Sequence, residues 1–184
     1  MLLKNEPLGT THSQFEQPFT PIIIDIEASG FGGDSYPIEI GLAFSAKQRF
    51  CRLIRPQADW LHWSEEAQAL HGISRAVLVD KGVNVNRVCL ELNQLLDTKT
   101  VYSDGWVVDS PWLNRLYESA GISRSFKISA LEMILNEHQM ALWHPTKDRL
   151  FAISTHRRHR ASHDAAIIQM TYLETRNAMP NKQG

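Results

Sequence analysis

The chain has 184 residues and a formal net charge of −1, with 43% hydrophobic and 21% charged residues. That length suits one domain, and a domain of this size buries roughly 70% of its unfolded surface without disulfides or metals. The balance is that of an ordinary folded chain rather than a disordered one. Near-neutral charge argues against a protein that coats long duplexes by electrostatics alone, but not against an enzyme that handles one strand end in a small site.

Cys51 and Cys89 are the only cysteines, too few for a disulfide framework and not spaced as a metal-binding pair. Reduced thiols fit a cytoplasmic protein. No apolar run approaches the ~20 residues of a membrane span. The segment Met1 to Thr20 lacks a signal-peptide pattern, since Lys4, Glu6 and Glu16 break it early.

Residues 1–19 are polar and without periodicity, and read as a loose N-terminal tail. A single domain is expected over 20–177, followed by a C-terminal tail over 178–184. The β-branched run Pro21 to Glu27 predicts a buried strand, and Gly30, Gly32 and Gly33 a turn after it. Ile38 to Phe44 and Gln48 to Ile54 read as two strands of an antiparallel hairpin. Ser64 fits the cap of a helix beginning Glu65-Glu66-Ala67. Val88, Leu92, Leu95 and Leu96 mark a helix over 86–96. A short strand is expected over 100–103, and a helix opened by Asp109-Ser110-Pro111 and closed by Gly121. The last expected elements are a short strand over 126–129, a helix over 130–143 interrupted by Pro145, and a final helix over 163–176. Three strands followed by helices alternating with short strands imply an α/β layer structure with a mixed sheet.

Asp25 and Glu27 stand two apart on the first strand, so both project from one face, about 6–7 Å apart along it. Burying two like charges is costly, and a hard divalent cation with oxygen ligands would relieve that cost. A strand end open to water would serve as well. Asp109 suits a metal ligand or a helix N-cap, and Asp104, nearer the strand end, rivals it. His159 should precede the final helix and Asp164 lie in its first turn, because i and i+5 do not share a helical face. The imidazole can accept a proton near neutral pH. Asp164 also suits simple complementation of a helix N-terminus. His156, His159 and His163 would form a zinc stripe if all three were helical.

Asp25-Ile26-Glu27, Asp109 and His159-Arg160-Ala161-Ser162-His163-Asp164, in this order, resemble the DnaQ-like 3′→5′ exonucleases of the DEDDh group. His71-Gly72-Ile73 between the first two motifs also looks familiar for that family, and the resemblance runs from about Ile22 to Leu173. It implies a ribonuclease H-like fold: a mixed five-stranded sheet flanked by helices, its first three strands antiparallel. Two departures stand out. Val108 replaces the usual Phe before the middle Asp, with Asp104-Gly105 where a His-Asn pair is common. Ala28-Ser29-Gly30 replaces the family's Thr-Thr-Gly.

By resemblance, the chain hydrolyses phosphodiesters at the 3′ end of single-stranded RNA or DNA and releases nucleoside 5′-monophosphates. Two Mg²⁺ or Mn²⁺ ions would be held by Asp25, Glu27, Asp109 and Asp164, with Asp25 between both, and His159 would act as general base. The turn Ala28, Ser29, Gly30 and Phe31 would floor the terminal nucleotide. Phe31 and Trp106 would stack on bases, and Arg160, with Arg157 and Arg158, would attract phosphates. Core packing is the competing reading for both aromatics, and solvated charge for the arginines. His71 has no expected catalytic role. Relatives that trim RNA are often homodimers, which extends to this chain as an analogy; no membrane partner is expected. A catalytically silent nucleic-acid-binding or scaffold module of the same fold is the competing function.

Overall fold

The computed structural model describes residues 19–154 and 159–178. The apolar run after Pro21 forms β1 (Ile22–Ala28). β2 (Pro37–Ser45) and β3 (Gln48–Leu53) follow as an antiparallel hairpin. α1 (Glu65–His71) begins at Ser64, whose hydroxyl accepts the Ala67 N–H, and ends at Gly72 in the left-handed conformation. α2 (Arg75–Lys81) is capped in the same way by Ser74. α3 (Val85–Leu96) turns its apolar stripe inward, and β4 (Thr100–Ser103) follows. Then come α4 (Trp106–Ala120), β5 (Lys127–Ala130), a single 3₁₀ turn over Leu131–Ile134, α5 (Glu137–Ile153) and α6 (Ala161–Asn177).

The five strands form one sheet in the order β3-β2-β1-β4-β5. β1 runs antiparallel to β2 and parallel to β4, and β4 runs parallel to β5. The sheet is therefore mixed, with its first three strands antiparallel, as expected. Strand alternation divides the core in two. Ile24 and Ile26 join the larger cluster with Leu92, Val101 and Leu113, under α3 and α4. Ile23 joins the smaller one with Leu131, Trp143, Ala165 and Ile168, under α5 and α6. Because Asp25 and Glu27 share the Ile23 face, they lie on the α6 side of β1. The β1–β2 register shifts between Glu27 and Ala28. Such a bulge turns the strand just where the acids end it.

Three expectations need correction. The middle helix starts at Trp106, with Gly105 before it and no side-chain cap, so Asp109 lies within its first turn rather than opening it. Trp106, Val107 and Val108 are all exposed, so this turn carries no inward-facing periodicity to read. Pro111 lies inside the helix. The expected helix over 130–143 is a strand end and a 3₁₀ turn, and α5 starts only at Glu137. There Asn136 and Gln139 form a reciprocal capping box, and the helix continues past Pro145. α6 starts at Ala161, two residues earlier than expected. Phe19, at the border of the expected tail, lies edge-on to Tyr102 and Tyr172.

Candidate active site

β1 and β4 are parallel neighbours, and acidic residues gather in the carboxyl-terminal half of β1 and just after β4. This is where open α/β sheets bind ligands. β1 supplies Asp25 and Glu27, and β4 leads through Ser103 to Asp104. The first turn of α4 supplies Asp109, which is 3% exposed. The Ser103 hydroxyl donates to an Asp109 carboxylate oxygen at 2.5 Å. Asp104 instead pairs with Lys147 of α5 at 2.8 Å. Beside that pair lies a cavity of about 140 Å³ that Leu131, Trp143 and His144 help to line.

The last two residues arrive with α6. His159 precedes the helix with a φ of 59°, uncommon for a residue other than glycine. Its backbone N–H donates to the Asp164 carboxylate at 3.1 Å, which folds the loop back over the helix start. One side-chain ligand atom each from Glu27, His159 and Asp164 lie within 4.8 Å of one another. Two segments distant in sequence, β1 and the start of α6, thus present oxygen and nitrogen donors to one point.

Electrostatics agree with this crowding. Burial, and then the carboxylates of Asp109, Glu27, Asp164 and Asp104, hold the Asp25 carboxyl well above the usual range. Burial also raises Glu27 from 4.5 to about 8, helped by Asp164, Glu39 and Asp109 and opposed by Arg160. Asp109 is raised from 3.8 to about 7, chiefly by burial, with the Ser103 hydrogen bond opposing. A cluster of acids that repel one another in a partly dry site is stabilised by cations. The donor set of carboxylates with one imidazole could hold a divalent metal ion. Asp109 weighs on both Asp25 and Glu27, whereas Asp104 is the weakest of the influences on Asp25.

The predicted nucleotide floor is held rigidly. Ala28 and Ser29 are buried, and the Ser29 hydroxyl accepts the Tyr36 N–H at 3.1 Å. The Ser29 carbonyl accepts the Ser64 N–H at 2.8 Å. A Cβ on Gly30 would lie 2.4 Å from the His62 ring and 2.9 Å from the Ser64 Cβ, so a side chain there would have to push these neighbours aside. Phe31 (68% exposed) and Trp106 (41% exposed) stand out as apolar surfaces at the ends of the elements that carry the acids. Arg160 differs from expectation in its setting: its guanidinium forms a bidentate ion pair with Glu39, with contacts between 2.6 and 3.1 Å. Arg157, Arg158 and His156 lie outside the described residues. The zinc stripe loses its helical basis, because His159 lies before the helix and in a left-handed conformation. His71 is buried, its Nδ1 accepting the Ile73 N–H at 3.0 Å.

Glu39, Ser103 and Lys147 escaped sequence reasoning. Glu39 had a signal, as the one charged residue in the apolar strand Pro37–Ser45. Ser103 and Lys147 had none.

Neither a family model nor a curated protein sequence matches the chain. Solved structures do. Zinc-bound Escherichia coli exonuclease I in complex with single-stranded DNA matches with a TM-score of 0.66 at 15% identity, over 88% of this chain and 41% of that one. Exonuclease I from Methylocaldum szegediense matches with a TM-score of 0.66 at 12% identity, over 88% and 41%. The E. coli enzyme with a dA16 oligonucleotide gives 0.64 at 14% identity, over 85% and 41%. The chain has the fold of the matched part of exonuclease I. It spans about two-fifths of the length of these proteins. Its strand order is also compatible with a ribonuclease H-like sheet. Among the described residues, no helix is long and apolar enough to cross a membrane.

Proposed function

We propose that the chain is a metal-dependent 3′→5′ exonuclease of the DEDDh group, acting on the 3′ end of single-stranded nucleic acid. The observation that carries this reading is the meeting of Glu27, His159 and Asp164 at one point beside Asp25 and Asp109. Exonuclease I structures that hold single-stranded DNA support it through the shared fold.

Asp25, Glu27, Asp109 and Asp164 would hold two divalent cations. Bound there, such ions would neutralise the scissile phosphate and ease the ionisation of water. The chain's own groups do the rest. His159 sits beside the carboxylates and accepts the proton of the attacking water as general base. Its loop position lets it reach across the acids, and its backbone bond to Asp164 holds it there. The Ser103 hydroxyl keeps the Asp109 carboxylate aimed at the site. The rigid turn from Ala28 to Gly30 supports the terminal nucleotide through its backbone. Phe31 and Trp106 offer π-faces to unpaired bases, and stacking of this kind tolerates any base. The substrate is therefore an unpaired strand, RNA or DNA, and the product a nucleoside 5′-monophosphate.

The test is the incubation of a 3′-labelled single strand with the purified protein and Mn²⁺. Release of labelled nucleoside 5′-monophosphate, abolished by EDTA, is expected. Binding without cleavage under Mg²⁺ and Mn²⁺ alike would leave a silent binding module instead.

A further inference from the structure

We infer that Glu39 is a positioning residue that holds His159 and Asp164 in place by gripping the start of α6. Its activity arm rests on the nuclease reading above; its binding arm does not.

Glu39 is fully buried on β2, directly across the ladder from Glu27. A buried carboxylate persists only when it is paired and hydrogen-bonded. Among the described residues its partners are Arg160 and Ala161 at the start of α6 and Cys51 on the neighbouring strand. The Arg160 guanidinium donates to both carboxylate oxygens, at 2.6 to 3.1 Å. The Ala161 N–H, the first of α6, donates to it at 2.9 Å. The Cys51 thiol donates at 3.3 Å. Arg160 offers no side-chain cap to α6, so the sheet supplies that function through Glu39. Negative charge at a helix N-terminus is also favourable.

The geometry leads directly to the site. Arg160 and Ala161 immediately follow His159, whose left-handed backbone needs its surroundings to hold it. The His159 N–H then closes onto Asp164, within the same helix start. Gly41, two residues beyond Glu39 on the same face, lets the chain come close: a Cβ there would lie 2.2 Å from backbone atoms of Ala161 and Ser162. Glu39 and Gly41 together seat the helix start on β2, so the imidazole is aimed by a group that never touches substrate. Arg160 is thereby an arm of this clamp rather than a free phosphate contact.

Glu39→Gln, Arg160→Gln and the double variant test this. Each is measured for trimming kcat and KM, for Mn²⁺ dissociation constant by electron paramagnetic resonance, and for Tm. Loss of a group that orients metal-site residues costs about 10–100-fold in activity or metal affinity. Both single variants should lower kcat and weaken Mn²⁺ binding to that extent, with KM changed no more than about threefold. The double variant should be no worse than the poorer single one, because both act through one contact. If Glu39→Gln does not fold, Arg160→Gln, whose side chain is 38% exposed, carries the test alone. Unchanged kcat and Mn²⁺ affinity with only a lower Tm would overturn the inference, as would a rise in KM alone on removing Arg160. A wild type that binds Mn²⁺ but never trims removes the nuclease reading, and the affinity ratios then decide the clamp. A wild type that binds no Mn²⁺ overturns both.

Discussion

Replacing Glu27 by Gln should stabilise the metal-free protein at alkaline pH while removing its response to metal. Glu27 is raised from 4.5 to about 8 by burial and by the neighbouring Asp164, Glu39 and Asp109. A carboxyl raised in the folded state lends full stability below its unfolded value and loses it as the pH climbs through the folded one. For Glu27 that window runs from 4.5 to about 8. The shift sets a ceiling of about 5 kcal/mol. Partial solvent access and the shared titration of the acids reduce it to about 1–3 kcal/mol. Glutamine removes the charge and keeps the shape. In EDTA at pH 8.5 the variant should melt roughly 3–8 °C above wild type, and at pH 4.5 the two should nearly coincide. Mn²⁺ should raise the wild-type Tm strongly at pH 8.5 and the variant's little. Thermal unfolding followed by circular dichroism in matched buffers reads all of this. A variant equally destabilised at both pH values would refute the reasoning, since Glu27 would then be stabilising its surroundings as an ordinary hydrogen-bonded carboxylate.

Further outcomes follow from single contacts. Ser103→Ala removes the hydroxyl that holds Asp109 at 2.5 Å, so denaturant unfolding at pH 8.5 should show a loss of about 1–3 kcal/mol. The same change should move the acid limb of trimming activity to higher pH, because that hydrogen bond lowers the Asp109 value. Gly30→Ala would press a methyl group against His62 and Ser64, and calorimetry should show about 1–3 kcal/mol of destabilisation. Asp109→Asn should abolish trimming, while Asp104→Asn, which loses the Lys147 pair, should retain a measurable fraction in the same assay.

Much of the sheet was legible because its residues are locally consistent. The β-branched run of β1, the hairpin of β2 and β3, and the Ser64 and Gly121 caps each carry their own conformational reason. The misreadings lie where local signals conflict with tertiary demand. The first turn of α4 is apolar yet exposed, so its period pointed nowhere, and Pro111 suggested a start that lies inside the helix. In α5 the proline looked like a stop, but a capped helix of 17 residues continues past one missing N–H. At the site, Asp25 and Glu27 could be placed by strand alternation, and His159 and Asp164 by the helix start. Their convergence was expected only through the family resemblance and from no local signal, since it depends on α6 crossing β2 at Gly41. The Glu39–Arg160 pair spans 121 positions and belongs to that same packing.

The central claim is that these acids form one phosphodiester-cleaving centre, and Asp25 is the buried member that feels the charges of Asp109, Glu27, Asp164 and Asp104. The most direct measurement is the Mn²⁺-dependent shortening of a 5′-labelled single strand by wild type and by Asp25→Ala, with circular dichroism confirming that both are folded. The account predicts a ladder of progressively shorter strands for wild type and intact substrate for the variant. A folded Asp25→Ala protein that trims at the wild-type rate would contradict it.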